Sequence, residues 1–119
     1  METAYIQVDQ KKIASLLDQA YETRVSDLQK SIDLAQKALE LSQQAAIPKY
    51  IAESLCKLSL FYMITGRNEE AINFARRAIE IFTELEDEKG IADAKYNIAG
   101  TYYKTDQFHL GLQELEECL

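Results

Sequence analysis

Ser31-Ile32-Asp33-Leu34-Ala35-Gln36-Lys37-Ala38-Leu39-Glu40-Leu41 and Ala71-Ile72-Asn73-Phe74-Ala75-Arg76-Arg77-Ala78-Ile79-Glu80-Ile81 lie 40 positions apart, and their alignment decides the fold. Small and apolar side chains coincide along the whole stretch. A further step of 40 places Gly111, Leu112, Leu115, Cys118 and Leu119 on Ala71, Ile72, Ala75, Ala78 and Ile79. The segments between repeat too. Ile51, Ala52, Leu58, Tyr62 and Thr65 return as Ile91, Ala92, Ile98, Tyr102 and Thr105, while Leu17 and Tyr21 match Leu58 and Tyr62 at an offset of 41. Amphipathic helices resemble one another by chance. Agreement in register across two kinds of segment instead marks an internal repeat, and a period of this size belongs to stacked supersecondary units.

Within each unit the apolar residues recur three and four apart, as on one face of a helix. The pattern predicts helices at about 10–24, 27–45, 49–65, 68–86, 90–105 and 107–119, paired into three hairpins at about 10–45, 49–86 and 90–119. Ser26 with Gln29 reads as a capping box opening the second helix. Pro48 stands where a helix starts without losing a needed N–H. Gly66 stands where a left-handed residue closes a helix, Asn68 is placed to cap the next one, and Gly90 is read as the same kind of break. The fold class expected is all-α, with the whole chain forming one array.

Composition agrees. Among 119 residues, 47% are hydrophobic and 28% charged, with one proline and four glycines, so there is little material for turns and the elements must be long. The 20 acidic and 13 basic residues give a net charge of −7. Such a field repels phosphate backbones and anionic lipid, so neither nucleic acid nor a membrane surface is expected as a partner. Cys56 and Cys118 form no C-x-x-C pair and are read as free thiols of a reducing compartment. The Met1-Glu2-Thr3-Ala4-Tyr5 start lacks the features of a signal peptide, and no apolar run is long enough to span a bilayer. The expectation is a soluble, cytoplasmic chain.

Leu55, Leu58-Ser59, Tyr62, Gly66, Ala71, Ala75 and Ala78 in the middle unit carry a family likeness, as do Ile98-Ala99, Tyr102, Phe108, Gly111, Leu115 and Cys118 in the third. Their order resembles the tetratricopeptide repeat. The first unit, with Leu17, Tyr21, Ser31, Ala35 and Ala38, is more degenerate. The 40-residue period, with longer second helices than usual, is similar to the repeats of clustered arrays, and Ala20 to Asp27 is similar to the first repeat of bacterial sensory regions. The resemblance implies a right-handed α-solenoid in which Ala71 and Ala78 are small because the partner helix presses on them, and Tyr62 and Tyr102 fill gaps between hairpins.

Chemistry has little to work with. His109 is the single histidine, no glycine-rich loop cradles a phosphate, and the carboxylate pairs Glu69-Glu70 and Glu116-Glu117 point about 100° apart around a helix. No catalytic residue, cofactor or metal is assigned. The resemblance implies instead that the first helices of the hairpins line a groove and read a protein or peptide partner. The positions so implied are Glu53, Leu60 and Met63 in the middle unit and Asp93, Tyr96, Asn97 and Tyr103 in the third, with Cys56, Ile64 and Gly100 beside them. The basic clamp of chaperone-binding members is missing, since its positions hold Cys56, Leu60, Tyr96 and Gly100. The function expected is a peptide- or protein-binding module, as the sensory or scaffolding segment of a larger, bacterial signalling protein, with a dimerisation element or spacer as the alternative. Leu112, Leu115, Cys118 and Leu119 end the sequence short of where the middle unit's helix ends. This is read as a fragment whose C-terminal helix forms a homodimer.

Overall fold

A computed structural model describes the backbone of residues 2–104 and the side chains of residues 10–103. The described part consists of α1 (Glu2–Thr23), α2 (Leu28–Ala45), α3 (Pro48–Thr65), α4 (Asn68–Glu84) and α5 (Glu88–Lys104). No strand occurs among the described residues. The expectations of a sixth helix at about 107–119 and of a C-terminal homodimer contact, with His109 and Cys118, fall on residues outside those described. Each helix packs on its chain neighbour, and α3 also meets α1 and α5, so the first helices α1, α3 and α5 lie side by side. The helix at the start is longer than expected, beginning at Glu2 rather than near residue 10. The second helices match the first ones that follow them in length: α2 has 18 residues and α4 has 17, as α3 and α5 do.

The turns correct three readings. Asp27, not Ser26, caps α2, because its carboxylate accepts from the Lys30 N–H at 3.1 Å while the Ser26 hydroxyl turns back to the Thr23 carbonyl. Arg67, not Asn68, is the residue before α4, without a side-chain cap, and its guanidinium instead pairs with Glu70 in the first turn at 2.7 Å. Gly66 closes α3 as expected, at φ 84°, with its N–H and that of Arg67 capping the last carbonyls, and Pro48 occupies the first turn of α3. Gly90 does not break a helix. It lies buried in the first turn of α5, and the left-handed residue between α4 and α5 is Glu86, at φ 56°. Ala46 does the same between α2 and α3 at φ 54°, so the turn repeats at the 40-residue period without glycine.

The core is built from the repeated small residues. Ala71 packs with Leu58, Phe61 and Tyr62, while Ala75 and Ala78 pack with Ala52 and Leu55, so each α4 alanine lies in a cluster with side chains of α3. Ile13, Leu17 and Ala38 form the corresponding cluster of the first hairpin. The Ser59 hydroxyl donates to the Ala71 carbonyl at 2.7 Å and ties α3 to α4. Tyr62 bridges hairpins as expected. Its ring stacks on Phe74 at 5.2 Å within its own hairpin, and its hydroxyl accepts from the Gln36 amide of the previous one. Tyr102 is half-buried against the cluster formed by α3, α4 and α5.

Candidate functional site

The face made by α1, α3 and α5 carries three adjoining hollows. The central one, about 360 Å³, is lined by Tyr21 of α1, by Cys56, Lys57 and Leu60 of α3, and by Asp93, Tyr96 and Asn97 of α5. Towards the N-terminal ends of α3 and α5, beside the C-terminal part of α1, a second hollow of about 240 Å³ brings Asp18, Glu53 and Asp93 together with Lys57 and Lys89. Along the C-terminal half of α5 a third, of about 300 Å³, lies between Tyr96 and Tyr103 over Ala99 and Gly100. The size of each is near the lower bound of small-ligand pockets, but the three together form an open furrow suited to a chain segment.

Six of the seven residues singled out from sequence line this furrow. Leu60, Asp93, Tyr96 and Asn97 share the central hollow, Glu53 and Asp93 the charged one, and Tyr96 and Tyr103 the aromatic one. Met63 lines none of them. It is half-buried and lies against Gly100, where an added Cβ would come within 2.7 Å of its Sδ. Tyr96 and Tyr103 are 68% and 67% exposed, the largest exposures among the large apolar side chains of residues 10–103 that lie in helices.

Asn97 is buried rather than displayed. Its Nδ2 donates to the Cys56 carbonyl at 3.1 Å, binding α5 to α3, so its amide is engaged inside the protein. Cys56 is a free thiol, and burial pushes its pKa up to about 12, with the nearby Asp93 and Glu53 carboxylates adding to the shift and Lys57 and the Asn97 amide opposing it. It stays protonated and is a poor nucleophile. Burial likewise raises the pKa of Glu53, against the pull of Lys49 and Lys57. Among the described residues no ion pair reaches Asp18, Glu53 or Asp93.

Tyr21 and Lys57 were not foreseen as part of this face. Tyr21 shares the register of Tyr62, which is buried in a cluster with Ala20, Ile32 and Ala35 of the previous hairpin; no described hairpin precedes Tyr21, and it is left 41% exposed. Arg24 and Lys57 settle on its ring instead, at 3.6 and 4.8 Å from the centroid. The signal was the position of Tyr21 in the first unit.

The family profile described as Tetratricopeptide repeat matches residues 19–84, more than half of the chain. The chain belongs to the tetratricopeptide repeat family. The crystal structure of the TPR domain of Arabidopsis FLU is similar to it, with a TM-score of 0.81, 20% sequence identity and coverage of 92% of this chain and 93% of that one. At that identity the likeness shows the fold, a right-handed α-solenoid of helix hairpins. No curated protein matches. Tetratricopeptide repeats generally serve as protein-interaction modules and typically as scaffolds without catalysis. Among the described residues no group of three or more His, Cys, Asp or Glu is arranged to hold a metal ion, and no helix is long and apolar enough to cross a membrane.

Proposed function

We propose that this tetratricopeptide array binds a peptide, or an exposed segment of a partner protein, in the furrow lined by α1, α3 and α5. One observation carries the reading. Six large apolar side chains are exposed among the described residues, and five of them, Tyr21, Val25, Ile64, Tyr96 and Tyr103, lie on the first helices or in the turn that follows α1. Neither α2 nor α4 exposes any; the sixth, Leu85, is in the turn after α4. A soluble scaffold would have no reason to sort its exposed aromatics onto one layer, whereas tyrosines with a polar tip are the side chains that anchor interfaces. The engagement of the Asn97 amide by Cys56 gives Asn97 the role of holding the furrow's floor, and leaves Tyr96 as the anchor.

In this reading the array serves as the sensory or scaffolding segment of a larger signalling protein. The direct test is Tyr96→Ala. Its side chain contributes little to the core, so circular dichroism and the thermal midpoint should stay as they are. Affinity for a peptide selected on the unmodified protein should fall by about 1–2 kcal/mol, roughly 5- to 30-fold. Undiminished affinity would move the partner to the other face.

A further inference from the structure

The furrow is graded along its length. Along the C-terminal half of α5 it is apolar: Tyr96 and Tyr103 bracket a slot floored by Ala99 and Gly100. Toward the N-terminal ends of α3 and α5 it is charged, and there the charges are not matched to one another. Lys49 and Lys57 are the two lysines that act most on Glu53, yet each is drawn over a tyrosine ring, Lys49 over Tyr50 at 5.7 Å and Lys57 over Tyr21 at 4.8 Å. A cation held by a ring face is partly satisfied there. Asp18, Glu53 and Asp93 line the same hollow, none within 4 Å of a described cation, with Lys89 alone left among them. Glu53 is half-buried, so it has lost part of its water without gaining a counter-ion.

We infer that the partner segment carries a lysine or arginine that lies against Glu53 and Asp93, and a bulky apolar side chain that enters the slot between Tyr96 and Tyr103. The inference rests on the furrow-binding reading above and adds the chemistry of the occupant. The net charge of −7 attracts a basic segment over a longer range, and an arginine against two carboxylates forms the stronger class of hydrogen bond. The spacing follows from the helix. Asp93 lies about 10 Å below the slot at 1.5 Å per residue. In an extended partner the basic residue therefore stands about three positions from the apolar one, and in a helical partner about seven.

A displayed library of random peptides, panned against the full chain, tests both levels. The expected winners combine a basic residue with a bulky apolar one. Replacing that basic residue by glutamine in a synthetic winner should weaken binding about tenfold. On the Glu53→Gln, Asp93→Asn double variant the two peptides should bind alike, and if that variant fails to fold, raising the salt concentration on the unmodified protein should weaken the basic peptide alone. Winners that are acidic or neutral, or a basic preference that persists on the folded double variant, overturn the inference while leaving the furrow in place. Winners indifferent to Tyr96→Ala, or no retained peptide at all, overturn the furrow reading itself and the inference with it.

Discussion

The junction between the first two hairpins and the junction between the second and third use the same backbone and opposite side chains. Both turn through a left-handed residue, Ala46 in one and Glu86 in the other, 40 positions apart. Ser42 and Phe82 also correspond, as do Tyr50 and Gly90. In the first junction the second helix contributes a small serine, fully buried with its hydroxyl returned to the Ala38 carbonyl, and the following helix contributes a tyrosine packed on the cluster of Ile13, Leu17 and Ala38. In the second junction the volume is on the other side. Phe82 is buried, and Gly90 is bare because the Phe82 ring occupies the place of its Cβ. A repeat therefore constrains the sum of two side chains at a junction, and leaves open which helix supplies the larger one.

The sharpest way to break that comparison is to swap the second junction into the form of the first. Phe82→Ser alone should lose about 3–5 kcal/mol in urea denaturation, as for other large-to-small core changes. Gly90→Tyr alone has no room beside the ring and should lose at least as much. Combined, the two should cost less than their sum by about 0.5–3 kcal/mol, the coupling expected of residues that share one space. Strict additivity would mean that the two positions do not exchange volume.

The small positions within hairpins should behave alike on both sides. Ala38 and Ala78 are 40 apart and both fully buried, each in a cluster with side chains of the first helix of its own hairpin. Ala38→Leu and Ala78→Leu should each cost about 1–3 kcal/mol by overpacking. A clear difference in denaturation midpoint between them would show that the first hairpin, whose sequence is more degenerate, is also looser.

The turns give a smaller effect and a change of sign. Glu86 and Ala46 hold positive φ without being glycine, and Glu86→Gly or Ala46→Gly should add about 0.5–1 kcal/mol of stability. Gly66→Ala has open space for its Cβ and should still lose about 1 kcal/mol, because the cost is in φ. These three thermal melts separate the backbone's share of a turn from its packing.

Much of this was legible in the sequence. The 40-residue register located every described helix after α1, along with the buried alanines, because period and residue size report packing directly. Gly66 and Gly90 show where such reading stops. Both interrupt an apolar pattern, but one is required by its own φ and the other by the ring of Phe82 eight residues earlier, and a sequence does not say which. Asn97 shows the same limit at the furrow. Its place on the helix put it at the partner's side, while its hydrogen bond to the Cys56 carbonyl depends on how closely α5 approaches α3. Tyr96, whose exposure follows from helix position alone, lies where the register put it.

The smallest expected effect compares Glu53 with Asp93, again 40 positions apart. Burial raises the pKa of Glu53 in the folded protein, with the lysines around it opposing the shift. Between its ordinary value and the raised one, the folded state holds more protons than the unfolded state, so stability falls as pH rises through that window. Above the raised value the carboxylate is charged and the full cost is present. Glu53→Gln should therefore raise the thermal midpoint at neutral pH, and the gain should vanish in acid below the ordinary glutamate range, where Glu53 is protonated in both states. Asp93 is exposed, and Asp93→Asn should stay within about 0.5 kcal/mol of the unmodified protein. A carboxylate that costs the fold stability and lines a furrow is expected of a residue kept for a partner rather than for the core. If Glu53→Gln instead lowers the midpoint at neutral pH, the surrounding lysines outweigh burial, Glu53 is structural, and the basic partner residue must be held by Asp93 alone.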